Sequence, residues 1–206
     1  MVEGAARLIV AALAPAALLA PAAYGAQGLH ATGNCRDGLP HGAYQLRSDD
    51  GTLRAAGAFN RGKRTSSFMF WSSRGVRVAQ IPYDEGQWSG TVSLWYADTA
   101  RGRDPQVKLE AGYAAGKLDG EKRSWHPGGM RRALFVYERG VLVDAKAWDA
   151  AGKPLSNDAA RALAARDADA DERYYESLEA IVNRHPPACD DAATPPRTTA
   201  ALPQRF

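Results

Sequence analysis

A glycine-based repeat constrains the fold of this chain more than any other feature of its sequence. Successive units begin at five glycines spaced 24, 24, 30 and 24 residues apart: Gly38, Gly62, Gly86, Gly116 and Gly140. The fourth residue after them is, in the same order, Gly42, Ser66, Gly90, Gly120 and Asp144. An aromatic residue stands three positions before the second to fifth glycines: Phe59, Tyr83, Tyr113 and Tyr137. Such a fixed period is typical of repeat architectures in which each unit is one supersecondary structure.

The second half of each repeat predicts a β-strand with one buried face. Ala79, Ile81 and Tyr83 lie two positions apart, and the other repeats show the same period of two. Residues 48–51 and 126–129 are typical of tight turns, so each repeat is predicted to form a hairpin. A single hairpin is marginal in water, whereas stacked hairpins bury a continuous stripe. Aromatic residues of the first half of the repeats are expected to lie mostly in this core: Tyr44, Phe70, Trp71, Trp95, Trp125 and Trp148.

This pattern resembles a known family. The stretch from Gly38 to Leu155 is similar to MORN repeats, in particular to bacterial strings of Gly-x-x-x-Gly units, and residues 86–90 and 116–120 match best. The resemblance implies a mainly β fold, namely an elongated antiparallel sheet of stacked MORN-like β-hairpins over residues 35–155. The chain departs from the family at Ser66, in a truncated fifth repeat and in six extra residues of the third. Several bacterial members resemble antidotes that neutralise a toxin, and eukaryotic members are linked to membranes and scaffolding.

Residues 1–25 are predicted to be a signal peptide. Arg7 supplies positive charge, residues 8–19 form an unbroken apolar run, and small residues follow, with cleavage sites at 20–22 or 23–25. The run is shorter than the roughly 20 apolar residues that a membrane span needs. The alternatives are an uncleaved anchor and an alanine-rich disordered start. The signal predicts a periplasmic or secreted protein.

The two cysteines of the chain lie near the two ends of the predicted mature protein, at Cys35 and Cys189. In an oxidising compartment an even pair is most simply a disulfide, and the alternative is two buried free thiols. The bond would tie the C-terminal region back to the first repeat.

Residues 156–189 are predicted to be a helical appendage. Asn157 and Asp158 are suited to cap an alanine-rich helix over residues 159–165. A second helix over residues 171–184 has its apolar residues on one face, which is expected to pack on a face or an end of the sheet. Residues 190–206 are rich in proline, alanine and threonine and are predicted to be a disordered tail.

The sequence contains no recognisable catalytic or metal-binding pattern. No serine elbow, phosphate loop or metal-ligand spacing of histidines occurs, so the chain is predicted to be a non-enzyme without a cofactor. The run Asp167-x-Asp169-x-Asp171 lacks the glycine and the glutamate of a calcium loop and is expected to be a solvated acidic turn. The net charge of +3 is too small to indicate a nucleic-acid partner.

The candidate partner-binding residues depart from the repeat in its third unit. Trp88 lies between the two glycines of this unit, where the next two units have leucine. The insertion places Tyr96, Arg101 and Arg103 on a predicted projecting loop, and Trp, Tyr and Arg are frequent in binding hot spots. The alternatives are that Trp88 staples neighbouring hairpins and that the loop is a solvated variation in length.

Two functional hypotheses follow. The first is an exported, non-enzymatic protein-binding module, with an immunity protein that neutralises a toxin as its narrower form. The second is a structural, envelope-associated repeat protein. Its scattered cations would contact glycan or lipid head groups: Arg61, Lys63, Arg64, Arg131 and Arg132. Capture of a protein partner from the envelope would favour the first hypothesis, and co-sedimentation with glycan or liposomes would favour the second.

Overall fold

The computed structural model describes residues 28–98 and 104–189. The predicted signal peptide, the predicted disordered tail and residues 99–103 of the inserted loop lie outside these ranges. Eleven strands and one helix occur in the described ranges: β1 (Leu29–Arg36), β2 (Leu39–Ser48), β3 (Leu53–Asn60), β4 (Lys63–Trp71), β5 (Arg77–Asp84), β6 (Gln87–Trp88), β7 (Gly90–Trp95), β8 (Val107–Ala114), β9 (Lys117–Trp125), β10 (Arg131–Glu138), β11 (Val141–Ala147) and α1 (Asn157–Asn183).

The strands form one open antiparallel sheet in which each strand pairs with its neighbours in the sequence. The short strand β6 pairs with β5 and leads into β7, which pairs with β5 and β8. The predicted class, a mainly β sheet of stacked hairpins with a C-terminal helix, is therefore confirmed. Apart from β6 and β7, strands that follow one another in the sequence also pair in the sheet, so the strand order follows from local connections.

The glycines that open the repeats lie in two-residue turns. Each of them and the residue before it have positive φ, as in Ala115 (47°) and Gly116 (78°). Two successive positive φ values are the requirement of a type I′ turn, which matches the twist of the flanking strands. Four of these glycine N–H groups also donate to a carbonyl of the preceding unit at 2.7–2.9 Å: Gly62 to Pro40, Gly86 to Arg64, Gly116 to Trp88 and Gly140 to Leu118. The turns are thereby linked to one another along one margin of the sheet.

The second glycine of the repeat, present as Gly42, Gly90 and Gly120, lies in a strand and not in the turn. At Gly120 (φ 92°) the register between β8 and β9 changes from Ala111 opposite Lys122 to Tyr113 opposite Leu118. This step leaves two extra residues in β9, which is a β-bulge. The fifth repeat has Asp144 at this position, and its register shifts by one residue only.

A valine at Gly90 is expected to destabilise the fold more than a valine at Ala43. Gly90 has φ 109°, and a Cβ atom there would lie 3.3 Å from Cγ of Pro82, whereas Ala43 is an exposed strand residue. A β-branched residue in this backbone conformation costs roughly 1–3 kcal/mol, so Gly90→Val should lower the free energy of unfolding by about that amount. Urea denaturation of the two variants measures the difference. Equal midpoints for Gly90→Val and Ala43→Val would contradict the bulge geometry.

The core lies between α1 and one face of the sheet, here called the inner face. Side chains of alternate strand positions point to this face. The largest fully buried side chains belong to Tyr44, Phe68, Phe70, Phe135, Leu46, Ile81, Leu94 and Val92. Ala160 and Ala164 of α1 pack on Phe135, and Tyr175, Leu178 and Val182 pack on the cluster that contains Phe68 and Ile81. A helix of 27 residues is about 40 Å long, enough to cross most of the strands. The opposite face, the outer face, has no helix of the described chain over it.

The C-terminal region forms one continuous helix, so the prediction of two separate helices was wrong. No glycine or proline interrupts residues 166–170, and Asp167 and Asp171 are held by cations of the sheet. The predicted cap was also displaced, because Ser156 is the N-cap and its hydroxyl accepts the N–H of Ala159 at 3.3 Å.

The predicted disulfide between Cys35 and Cys189 is confirmed. The bond joins β1 to the segment after α1, with the two Cα atoms 5.5 Å apart. Beside it, the hydroxyl of Tyr44 donates to the carbonyl of His185 at 2.7 Å. No helix in the described part of the chain is long and apolar enough to cross a membrane.

Candidate functional site

A row of aromatic and cationic side chains crosses the outer face. Three tryptophans stand nine residues after the first glycine of their unit, and Trp148 stands eight residues after Gly140 because the bulge of the fifth repeat is one residue shorter. Their strand neighbours Phe70, Leu94, Ser124 and Ala147 are buried on the inner face, so the tryptophans point to the outer face. We call this set the outer row: Arg47, Leu53, Trp71, Arg77, Trp95, Val107, Trp125, Arg131 and Trp148.

The register places one member of the outer row on almost every strand. Arg47 lies opposite Leu53, Trp71 opposite Arg77, Trp95 opposite Val107, and Trp125 opposite Arg131. Adjacent strands are about 4.8 Å apart, so successive tryptophans are separated by about 10 Å. The tryptophan rings are partly exposed, and Arg131 is exposed. The row therefore presents a stripe of contact area perpendicular to the strands.

Arginine side chains stack on tryptophans of the neighbouring repeat. The Cζ atom of Arg77 lies 4.2 Å from the ring centroid of Trp95, and that of Arg131 lies 5.7 Å from the ring centroid of Trp148. Both distances are within the range of cation–π attraction. A stacked guanidinium uses its flat face against the ring, which leaves the N–H edge of the group for other partners.

The backbone of the row is held by side chains from the preceding repeats. Nε of Arg54 donates to the carbonyl of Trp71 at 3.3 Å, and the hydroxyl of Tyr96 donates to that of Trp125 at 2.7 Å. Nε2 of His126 lies 3.0 Å from the carbonyl of Trp148. These contacts hold the backbone that carries the rings, and an ordered surface loses less conformational entropy when a partner binds.

The structure separates the candidate residues that the sequence placed in one site. Tyr96 lies beside Trp125 of the outer row, whereas Trp88 lies on the inner face and packs against α1. The Trp88 ring packs edge-on against Tyr113 and Tyr175, with centroids 4.9 and 4.8 Å away. Its Nε1 donates to Glu179 of α1 at 3.1 Å. Trp88 thus joins the sheet to the helix, while Arg101 and Arg103 lie outside the described residues.

A cleft of about 620 Å³ lies under α1, next to Trp88. Its buried charged groups are held by the chain itself, because Lys122 lies 2.7 Å from Asp171, Arg64 lies 3.5 Å from Glu179, and Glu179 accepts the hydroxyl of Tyr83 at 2.7 Å. Burial raises the pKa of Tyr83 well above its usual range, and the hydrogen bond to Glu179 adds to the shift. The cleft is therefore part of the attachment of α1 to the sheet.

The acidic run of α1 serves the same attachment. Asp167 receives two hydrogen bonds from the guanidinium of Arg132, at 2.5 and 2.8 Å, and Asp171 pairs with Lys122. The expectation of a solvated acidic turn was wrong for these two residues, since both contact the inner face. No group of three or more metal-ligating side chains occurs within residues 28–98 and 104–189.

The outer row was missed as a site by the sequence analysis, which assigned most of these aromatic residues to the core. The signal was present in the alternation of Phe70 with Trp71 and of Leu94 with Trp95, since neighbours in a strand face opposite sides. Comparisons of the chain with protein-family models, curated proteins and solved structures found no match. The similarity to MORN repeats therefore stays a prediction from spacing.

Proposed function

We propose that this chain is an exported, non-enzymatic binding module that holds a protein partner on the outer face of its sheet. One observation carries the proposal. The inner face is covered by the chain's own helix, whereas the outer face carries a fixed stripe of tryptophan and arginine. The tryptophan recurs in four repeats although its ring does not lie in the core under α1, so packing of the core does not explain why it recurs.

The composition of the outer row supports a protein as the partner. Tryptophan and arginine are the residue types enriched in protein-binding hot spots, and prior ordering of their rings favours tight contact. The hydrogen bonds of the interior strands are used within the sheet, so a partner on this face must be recognised through side chains. Stacking of Arg77 on Trp95 occupies one face of a ring that a sugar would otherwise contact.

The second hypothesis, contact with glycan or lipid head groups, has less support. Of the cations on which it rested, Arg64 bonds to Asn183 and lies 3.5 Å from Glu179, and Arg132 bonds to Asp167. Lys63 lies 3.1 Å from Glu85. Lys63, Arg64 and Arg132 therefore contact polar groups of the protein itself, whereas Arg131 belongs to the outer row and stacks on Trp148.

Export is supported by the disulfide and by the predicted signal peptide. A disulfide persists in an oxidising compartment such as the periplasm. The narrower role of an immunity protein that neutralises a toxin rests on the resemblance to antidote-type MORN proteins. Identification of a captured partner as a toxin or as another protein would test this role.

Replacing Trp125 with alanine is expected to weaken binding of the partner about thirtyfold, because removal of a hot-spot tryptophan costs on the order of 2 kcal/mol. The partner is captured from the envelope fraction with the mature protein, and its affinity is then measured by calorimetry. The matched control is Leu39→Ala, since Leu39 is apolar, 47% exposed and distant from the outer row in its hairpin. If Trp125→Ala keeps its melting temperature and binds as tightly as Leu39→Ala, the outer face is not the binding surface.

A further inference from the structure

The cations of the outer row lack the carboxylate partners that cations of the inner face have. On the inner face, Arg132 pairs with Asp167, Lys122 with Asp171, and Arg64 with Glu179. On the outer row, Arg47 bonds to the neutral oxygens of Gly51 and Gln45, at 2.9 and 3.1 Å.

The two arginines of the outer row that stack on tryptophan have no ion pair among the described residues. Arg77 contacts Trp95 and Arg131 contacts Trp148 through the ring faces. The Nε of Arg77 is buried without a hydrogen-bond partner. Neither guanidinium group is therefore neutralised by a direct ion pair among the described residues.

In the described part of the chain, the carboxylates of the outer face do not form ion pairs with the arginines of the row. Glu121 pairs with Arg123 in the same strand, and Asp144 lies 3.5 Å from Lys146. Glu110 and Asp104 are the remaining carboxylates near the row, and Asp104 lines a shallow cleft with Trp71 and Arg77 without forming an ion pair with Arg77. The nine positions of the row hold three arginines and no acidic residue. The row is consequently a cationic stripe with apolar rings between its charges.

We propose that the outer row binds an acidic segment of a protein, whose carboxylates pair with Arg47, Arg77 and Arg131 and whose apolar side chains contact the tryptophans between them. This inference rests on the proposed function and names the chemistry of the partner. A guanidinium edge and a carboxylate form two parallel hydrogen bonds, which is the strongest contact available to a stacked arginine.

The spacing of the charges defines the segment. Arg47 and Arg77 are three strands apart and Arg77 and Arg131 are four strands apart in the sheet order, or about 14 and 19 Å at the usual strand spacing. An extended chain rises about 3.3 Å per residue, so a segment of about ten residues reaches all three cations. Acidic residues four to six positions apart, separated by apolar residues, fit this arrangement.

The probe is a synthetic eleven-residue peptide with three glutamates, the second four positions after the first and the third six positions after the second, and with leucines between them. Its reference is the same peptide with glutamine in place of glutamate. Binding is followed through tryptophan fluorescence, since four of the five tryptophans lie in the row. We expect the glutamate peptide to bind at least tenfold more tightly than the glutamine peptide, with an affinity that falls as salt is raised.

Variants of equal charge separate the row from the net charge of the protein. Arg77→Glu with Arg131→Glu is expected to lower the affinity for the glutamate peptide at least thirtyfold. The control, Arg166→Glu with Arg173→Glu, changes the net charge by the same amount at two exposed arginines of α1. Its affinity for the glutamate peptide should stay within twofold of the wild type. The neutral pair Arg77→Gln with Arg131→Gln repeats the test with less perturbation, and melting temperatures verify that each variant folds.

Three outcomes would overturn the inference. The first is an equal loss in the row variants and in the α1 control, which would assign binding to net charge. The second is tighter binding of heparin or of phosphatidylglycerol vesicles than of the glutamate peptide, with the same dependence on Arg77 and Arg131. The third is a captured partner whose affinity drops in Trp125→Ala and is unchanged in both double arginine variants. This result would support the binding module and contradict an acidic partner segment. A partner indifferent to Trp125 would instead remove the proposed function.

Discussion

Removal of the Cys35–Cys189 disulfide is expected to lower the free energy of unfolding by roughly 4–5 kcal/mol, because the bond closes a very long loop. The two cysteines are 154 residues apart in the sequence. In the chain-entropy model, a cross-link over such a distance restricts the unfolded chain and so stabilises the folded state. We expect the native fold to remain without the bond, because Tyr44 also bonds to His185 and ion pairs also hold α1 on the sheet.

The test is a urea titration of the double variant Cys35→Ser with Cys189→Ser against the wild type. The variant should keep the far-ultraviolet circular dichroism of the native protein and unfold at a lower urea concentration. The matched control is the reductant itself, which should lower the midpoint of the wild type to that of the variant and leave the variant unchanged. Identical midpoints for the oxidised wild type and the variant would show that the bond does not stabilise the fold.

Replacement of Lys122 with methionine is expected to destabilise the protein by about 3–5 kcal/mol. The Lys122 side chain is 3% exposed, the Asp171 side chain is 15% exposed, and the two charged groups lie 2.7 Å apart. Loss of the cation leaves the largely buried Asp171 carboxylate without its ion-pair partner. Removal of one partner of a buried pair is strongly destabilising for this reason. The same change at Lys117, an exposed lysine in the wall of the same cleft, should alter stability by less than about 0.5 kcal/mol.

The double variant Lys122→Met with Asp171→Leu separates the pair from the packing of its side chains. Replacement of a whole buried ion pair by apolar groups of similar size is often neutral or stabilising, so most of the lost stability should return. Thermal unfolding of the single and double variants provides the measurement. A double variant that is less stable than Lys122→Met alone would show that the ion pair is not the main interaction at this position.

Much of the sheet could be predicted from the chain because its determinants are local. The residues that form the type I′ turns, such as Ala115 and Gly116, are neighbours in the sequence, and the alternation of Ile81 and Tyr83 with polar residues needs only the pleat of one strand. The disulfide was predictable because two cysteines allow a single pairing and the predicted export to an oxidising compartment favours the bond.

The candidate site was predictable in its residue types and not in its location. Trp88 packs on Tyr175 of α1, and Trp95 stacks on Arg77 of the outer face. Their separation of seven residues is odd, so alternation along the strands predicts that the two rings lie on opposite faces. Alternation does not tell which of the two faces the helix covers, and this decides which ring is left for a partner.

The sequence by itself determined the repeat, the hairpin turns, the strand alternation and the pairing of the cysteines, since these follow from short-range backbone geometry and from composition. Only the tertiary structure decided which face of the sheet α1 covers, and therefore which aromatic residues form the core and which form the outer row. That choice depends on contacts between distant residues, such as Arg132 with Asp167 and Lys122 with Asp171. A periodic strand pattern carries no information about them, because both faces of this sheet bear aromatic and cationic side chains and burial follows from where the helix lies.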